Sequence, residues 1–286
     1  MQQLGRYPTK LFFMSLRLFP FVLFSCMLTY GQTIISTTSL PKKINETSGL
    51  ATYNGYLVTH NDSGGKARLY LFDTLGGQLQ QKRIRGIKNN DWEDLAQDEN
   101  YIYIADTGNN FGTRKNLKIK RVQPTDSGFF HQGSIAIRYA KQENFNKQYK
   151  HAFDAEGLTS SGHELLLFSK NRATLTTEVY CIPKQPGDYE LYPTTSVFVN
   201  GLITGADYNT KEQLLLLVGY NYEGEQFLYT VPNFNPDVMA LDSLVQHRLD
   251  LKKAQIEAVK IIDAHSAWLT TEEEGSGAPR LFKVTF

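Results

Sequence analysis

Five copies of one short pattern divide the chain, and internal repetition on this scale restricts a sequence to repeat architectures before any single residue is weighed. The segments ETSGLA (46–51), DWEDLA (91–96), DAEGLT (154–159), TGADYN (204–209) and QIEAVK (255–260) align on Leu50, Leu95, Leu158, Tyr208 and Val259, at spacings of 45, 63, 50 and 51 residues. After each anchor comes a short apolar run: Leu57 to His60, Ile102 to Ala105, Leu165 to Phe168, Leu215 to Val218 and Ser266 to Leu269. A polar cluster follows (HNDSGG, DTGNN, SKNR, GYN, TTEEE), then a run rich in aromatic and β-branched residues (RLYLF, LKIKRV, EVYCI, FLYTV, RLFKV). Such composition suits a pleated strand.

A fourth strand-like run closes four of the units: LQQKRIR, SIAIRYA, TTSVFVN and SLVQHRL. None follows RLFKV, whereas TIISTTSL (33–40) precedes the first repeat without a partner. The expectation is that this segment completes the last unit and closes a ring, which protects the sheet edges an open array exposes. Four-stranded units of about this period are propeller blades. The sequence thus predicts an all-β, closed β-propeller of five four-stranded blades by repeat count, with a sixth, degenerate copy as the alternative. The long second spacing falls in KQENFNKQYKHAF after Ala140, which reads as a polar insertion.

Residues 1–31 carry Arg6, Lys10 and Arg17, no acid, the apolar run LFPFVLFSCML, and Thr29-Tyr30-Gly31 before Gln32. This is a signal-peptide layout, with cleavage expected after Gly31 and one propeller domain over 32–286. An exported protein follows, periplasmic, cell-surface or extracellular, with no spanning segment after processing. Losing three cations takes the formal charge from +1 to −2. A near-neutral chain without a long basic run argues against nucleic acid as the main partner. With Cys181 alone remaining, no intramolecular disulfide can form.

Consecutive strands of an up-and-down blade are antiparallel, so the start of the first and the end of the second share one edge. Asp91, Glu93, Asp154, Glu156, Asp207 and Glu257 stand at or near first-strand starts; Asn61, Asp62, Asp106, Asn109, Lys170, Asn171 and Asn221 stand at or after second-strand ends. Because first strands line a propeller's axis, these groups are expected around the channel mouth. Crowded carboxylates must be protonated, hydrogen-bonded or neutralised by a cation, and oxygen donors suit calcium before magnesium. Glu93, Glu156 and Glu257 recur at one repeat position and are the first metal-ligand candidates. The candidate ligand-binding set is Asn61, Asp62, Asp91, Asp106, Asn109, Asp154, Lys170 and Arg172. Turn formation accounts equally well for Asn61, Asp62, Asp106 and Asn109. Lys170 and Arg172 read first as solvated loop cations and second as holders of an anionic group. His60 and Trp92 read as structural, and Glu272 to Glu274 as a solvated loop.

There is no Gly-x-Ser-x-Gly elbow, no phosphate-cradling Gly-x-x-x-x-Gly-Lys, no His-Glu-x-x-His and no Cys-x-x-Cys. The segments DAEGL, DWEDLA, HNDSGG and the LYLFD-type strands resemble the secreted bacterial propellers of the phytase-like and gluconolactonase/regucalcin-like group. That resemblance implies a divalent cation on the channel axis, with Glu156 before Gly157 in the position of the family's Glu-Gly pair and Asn171, Asp207 and Asn221 as companion ligands. The chain departs from it in having one such pair and five apparent blades against six. Two functions remain in view: a binding or scaffold propeller that recruits a glycan, peptide, protein or small anionic ligand, and a cation-dependent hydrolase of a phosphoester or lactone.

Overall fold

The computed structural model describes residues 32–286 apart from Ser63, 252–253 and 274–276. The signal-peptide reading of residues 1–31 lies outside the described residues. Strand β1 (Thr33–Ser39) and a single 3-10 turn, Lys42–Ile44, lead into the first blade. Blade one comprises β2 (Thr47–Tyr53), β3 (Tyr56–Asn61), β4 (Arg68–Phe72) and β5 (Gln80–Arg83). Blade two comprises β6 (Leu95–Gln97), β7 (Ile102–Asp106), β8 (Lys118–Thr125) and β9 (Gly128–Tyr139). Blade three has β10 (Ala155–Ser160), β11 (Glu164–Ser169) and β12 (Thr176–Pro183); β13 (Gly187–Leu191) then leaves it, and β14 (Thr195–Phe198) returns as its outer strand. Blade four is β15 (Leu202–Asn209), β16 (Leu214–Tyr220), β17 (Gln226–Val231) and β18 (Val245–Leu249). Blade five is β19 (Gln255–Asp263), β20 (Ser266–Glu272) and β21 (Arg280–Thr285), completed by β1, which pairs antiparallel with β21 from Thr33↔Thr285 to Ser39↔Arg280.

The chain is therefore a five-bladed propeller closed by its N-terminal strand. The inner strands touch in the cyclic order β2, β6, β10, β15, β19 and back to β2. The segment after Ala140 holds no strand. One feature departs from the repeat: β13 pairs in parallel with β9 as a fifth strand on blade two, in the register Gly187↔Ile135 to Leu191↔Tyr139. Its alternating Tyr189 and Leu191 pack on the core between blades two and three, so a third-blade segment seals its neighbour's edge. Among the described residues no helix is long and apolar enough to cross a membrane.

Side chains alternate along each strand, and the apolar faces of adjacent blades stack. Leu166, Phe168 and Val179 of blade three, for example, pack against Ile203, Leu215 and Tyr229 of blade four. Each such buried Leu or Phe contributes about 1.5–3 kcal/mol. Inner strands lack a ladder toward the next blade, so side chains satisfy the facing backbone groups. Thr107 Oγ1 donates to the carbonyl of Ala155 at 2.8 Å, Thr159 Oγ1 accepts from Tyr208 N–H at 2.8 Å, and Thr204 Oγ1 donates to the carbonyl of Ile256 at 2.7 Å.

The inner hairpins share an irregularity that positions the mouth. Register shifts fall between Ser48 and Ala51, Ala155 and Gly157, Ile203 and Gly205, and Ile256 and Ala258. A bulge leaves one residue unpaired and re-aims its side chain; those residues include Glu156, Thr204 and Glu257. In blade two the same place is held by Glu93 and Asp94, whose backbone bonds bracket Ala105 at 2.8 and 3.0 Å. The bulges also correct the alignment of the fourth repeat. Thr204-Gly205 is the counterpart of Glu156-Gly157, so the anchor equivalent to Leu158 is Ala206 rather than Tyr208, and Asp207 sits beyond the bulge.

Candidate functional site

Hairpin pairing brings β10 and the end of β11 together, with Ala155 opposite Ser169 and the N–H of Lys170 donating to the carbonyl of Asp154 at 2.8 Å. Lys170 Nζ lies 2.5 Å from Glu156 Oε2, and both side chains are buried. The ammonium also sits 5.0 Å from the centre of the Tyr220 ring. Burial opposes the charge on Lys170, but the carboxylates of Glu156 and Glu257 and the Tyr220 hydroxyl hold its pKa well above the ordinary value. Burial likewise lifts Glu156 to about 7, against the pull of Lys170. Arg172 binds Asp154 at 3.1 Å, approaches Glu156 at 3.7 Å and donates to Asn110 Oδ1. Lys170 and Arg172 are thus buried or half-buried partners of carboxylates, not solvated loop cations.

A second group adjoins this one. Carboxylate oxygens of Asp62, Asp91 and Glu93 lie within 4.8 Å of one another. Glu93 is 4 % exposed, and its carboxyl makes no hydrogen bond or ion pair among the described residues. Its pKa is pushed well up, first by burial and then by the negative charge of Glu156, Asp62, Asp91 and Asp154. Asp91 is raised to about 6, again by burial first, with Arg114 pulling the other way from 3.8 Å. Room for these carboxylates depends on Gly108: a Cβ there would stand 1.8 Å from Glu93 Oε1 and 2.6 Å from Asp91 Oδ2.

Several other candidates are engaged in holding the loops. Asp106 receives Arg114 at 2.7 Å, Lys120 at 3.4 Å and the Asn90 amide at 2.9 Å. Asn109 accepts Arg114 N–H at 2.9 Å, donates to the carbonyl of Phe153 at 2.7 Å, and through its own N–H meets Asp154 at 2.7 Å. Asn61 donates to the carbonyl of Lys43 at 3.1 Å. Asn171 Oδ1 accepts the N–H groups of Ala173 and Thr174, and Asn221 Oδ1 those of Glu223 and Glu225, both turn-forming arrangements. Their amide nitrogens donate to Glu178 and Glu225. Glu257 is buried at the mouth and accepts from Gln255 at 2.5 Å; burial pushes its pKa well up, with Lys170 opposing. Asp207 instead pairs with Lys260 at 2.8 Å and accepts the N–H of Ile261 at 2.8 Å. The structure therefore gathers Glu93, Glu156 and Glu257 at the mouth, and places Asp207 deeper, with Asn171 and Asn221 turned into their loops.

Beside Arg172 and Tyr220 opens a cleft of about 390 Å³, also lined by Asn221, Tyr222, Gln226 and Gln255. Tyr222 is 56 % exposed and donates through its hydroxyl to the carbonyl of Arg172 at 2.9 Å, which stands it as one wall. An exposed aromatic face, several amides and a guanidinium edge suit a polar, hydroxyl- or acid-bearing ligand.

Three participants escape a reading by residue type. Arg114 links Asp91, Asp106 and the carbonyl of Gly108 and stands at no repeated position; Tyr220 covers Lys170 from the equivalent place in the next blade, where an aromatic ring replaces the cation. Asp94 does stand at a repeated position. Its counterparts in the other repeats are Gly49, Gly157, Gly205 and Ala258, so one acidic side chain among four small residues was the available signal. His60 and Trp92 are fully buried and meet edge-to-face at 5.6 Å, with burial lowering the His60 pKa to about 4; both serve the core.

No protein-family model matches the chain, and no curated protein matches it in sequence. Solved structures do match in fold. The chain is similar to a PQQ-bound aldose sugar dehydrogenase from Streptomyces coelicolor (12% identity, 89% of this chain and 98% of that one, TM-score 0.55). It is also similar to glutaminyl cyclase from Myxococcus xanthus (12% identity, 88% and 95%, TM-score 0.51). A third match is an exo-β-1,3-galactanase from Phanerochaete chrysosporium with galactose (9% identity, TM-score 0.53), where the overlap spans 88% of this chain and 64% of that one. At such identities the likeness is one of fold alone, and function must be argued from the site.

Proposed function

We propose that this chain is an exported binding propeller whose mouth holds a hard divalent cation, calcium before magnesium, on Asp62, Asp91 and Glu93. A glycan, peptide or small anionic ligand is then seated in the adjoining cleft of Arg172, Tyr220 and Tyr222. The observation that carries this reading is Glu93: a buried carboxyl without a hydrogen bond among the described residues, facing two more carboxylates within 4.8 Å. Buried charge of this kind demands a proton or a cation. Glu156 answers the same demand with Lys170, so the cation is assigned to the trio rather than to the axial set of Glu156, Asn171, Asp207 and Asn221 that the family resemblance implies. The loops around Arg114 and Asn109 are tied together by hydrogen bonds and ion pairs, which supports binding over a catalytic lid.

The test is metal analysis of purified protein, followed by melting with chelator and with added calcium. Calcium at 100 times its dissociation constant should add roughly 2.7 kcal/mol. Glu93→Gln should remove most of that response, and Glu273→Gln, outside the trio, should not. No co-purifying metal and no chelator shift would overturn the cation.

The second reading, a cation-dependent hydrolase of a phosphoester or lactone, is favoured by one observation: Asp91, raised to about 6, lies beside Asp62 and Glu93 and 3.8 Å from Arg114. A carboxylate near neutrality is suited to proton transfer. Turnover of a phosphate monoester or a sugar lactone that requires calcium and is lost in Asp91→Asn would select it over pure binding.

A further inference from the structure

The fold also gathers cations on one side of a blade. The chain as a whole is nearly balanced, at +1. Along the outer side of blade one, however, Lys66, Arg68, Arg83, Arg85 and Lys88 line two clefts of about 340 and 480 Å³, and Arg83 borders both. Lys66, Arg83, Arg85 and Lys88 are exposed. None of the five forms an ion pair among the described residues.

The pairing of β4 with β5 makes this costly. Arg68 lies directly opposite Arg83, and like charges facing across an antiparallel pair destabilise it. Among the described residues the Arg68 guanidinium donates to the side-chain amide oxygen of Gln81 at 2.6 Å, which carries no formal charge. At Arg114, Lys170 and Lys260, by contrast, the chain neutralises a cation with a carboxylate. An arrangement that leaves five cations unmatched and sets two of them face to face is one that a polyanion would complete. The far wall of the larger cleft adds Phe130, 49 % exposed, from the β8–β9 hairpin of blade two.

We propose that these two clefts form one binding surface for an acidic polysaccharide on the outer strands of blade one, distinct from the cleft of Arg172 and Tyr222 and bordering the Asp62 loop through Asn89, which donates to the Asp62 carbonyl at 2.7 Å. Guanidinium groups present forked donors to carboxylate, sulfate or phosphate groups, and Phe130 offers a flat apolar face to a sugar ring. Concavity decides among polyanions. A chain of single rings can enter clefts of this size, whereas a nucleic-acid duplex or a bilayer presents a broad convex or flat surface and would reach only the rim.

The probe is heparin, immobilised, with the chain from residue 32 to 286 in solution. Wild type should bind at about 0.15 M salt and more tightly at lower salt, as a charge-driven contact does. The triple substitution R83Q/R85Q/K88Q should weaken binding roughly tenfold or more without lowering the melting midpoint, since it relieves the Arg68–Arg83 repulsion. Phe130→Ala should weaken heparin binding but leave binding to polyphosphate, which has no rings, unchanged. The proposal is overturned if wild type does not bind heparin or if the triple variant binds as wild type does. It is equally overturned if duplex DNA or phosphatidylserine vesicles bind as tightly as heparin.

Discussion

Oδ2 of Asp94, at the entrance to the second blade, accepts the backbone N–H of Ala206, 112 residues further along in the fourth blade, at 2.9 Å. The same oxygen accepts the N–H of Leu158 at 2.8 Å, and Oδ1 that of Leu95 at 2.7 Å. One carboxyl group therefore ties three inner strands across the channel. Burial pushes its pKa well up while the three N–H donors resist. Asp94→Asn puts an amide donor where an acceptor is needed, and should cost about 2–4 kcal/mol. Urea unfolding of the two proteins measures it; a loss under about 0.5 kcal/mol, the level of an ordinary surface change, would show that the three bonds are dispensable.

The ring was legible because every blade repeats the same order of apolar runs and polar clusters, and because TIISTTSL had no other partner. The site was legible only in part. Glu93, Glu156 and Glu257 share a repeat position, and the common bulge turns that recurrence into convergence. Asp207 is misplaced by the alignment on Tyr208: Thr204-Gly205-Ala206 matches Glu156-Gly157-Leu158 without a gap, but small Ala206 hides the anchor that a leucine or valine marks in the other copies. Lys170 was visible as a cation at a strand end, but its burial depends on Tyr220 from the next blade, a contact between repeats that no repeat pattern encodes. β13 was hidden for the same reason: GDYEL lies outside the four-run repeat, and nothing in it says which blade receives it.

The Lys170–Glu156 pair is a second test of the mouth. Removing one member of a buried pair leaves the other uncompensated, so Lys170→Met and Glu156→Gln should each cost about 3–5 kcal/mol. The combined K170M/E156Q variant should lose clearly less than the sum, because neither charge is then stranded. Additive losses in chemical denaturation would mean that the two groups are not coupled.

Closure by β1 predicts a large effect from a small deletion. Leu40 is buried, and Ile34, partly buried, packs on the core of the last blade; at about 1.5–3 kcal/mol for a full burial, losing both removes roughly 2–4 kcal/mol. Deleting residues 32–40 also strips β21 of its outer ladder partner, leaving β20 on the other side. The melting midpoint should drop by roughly 6–12 °C for each 3 kcal/mol lost in a domain of this size. A midpoint within a degree of the parent would contradict closure.

Protons and a cation should compete for the Asp62–Asp91–Glu93 trio, and the sign of the pH dependence follows from the direction of the shifts. Asp91 and Glu156 are raised to about 6 and about 7, and Glu93 well above its ordinary value, burial being the first cause in each. Between the unfolded carboxylate values near 4 and these folded values, the native state holds more protons than the unfolded chain. Stability linked to these groups is therefore complete below about pH 4 and is lost as pH rises toward neutrality, by up to about 1.4 kcal/mol per pH unit for each proton held. In chelator, unfolding free energy attributable to the mouth should fall from pH 5 to pH 7. Glu93→Gln, which cannot ionise, should flatten that slope and gain stability at pH 7. Calcium needs the deprotonated carboxylates, so its affinity by titration calorimetry should rise over the same interval in wild type, with protons released on binding. A calcium affinity that does not change between pH 5 and pH 7, together with a pH slope that survives in Glu93→Gln, would place both the proton and the cation somewhere other than Glu93.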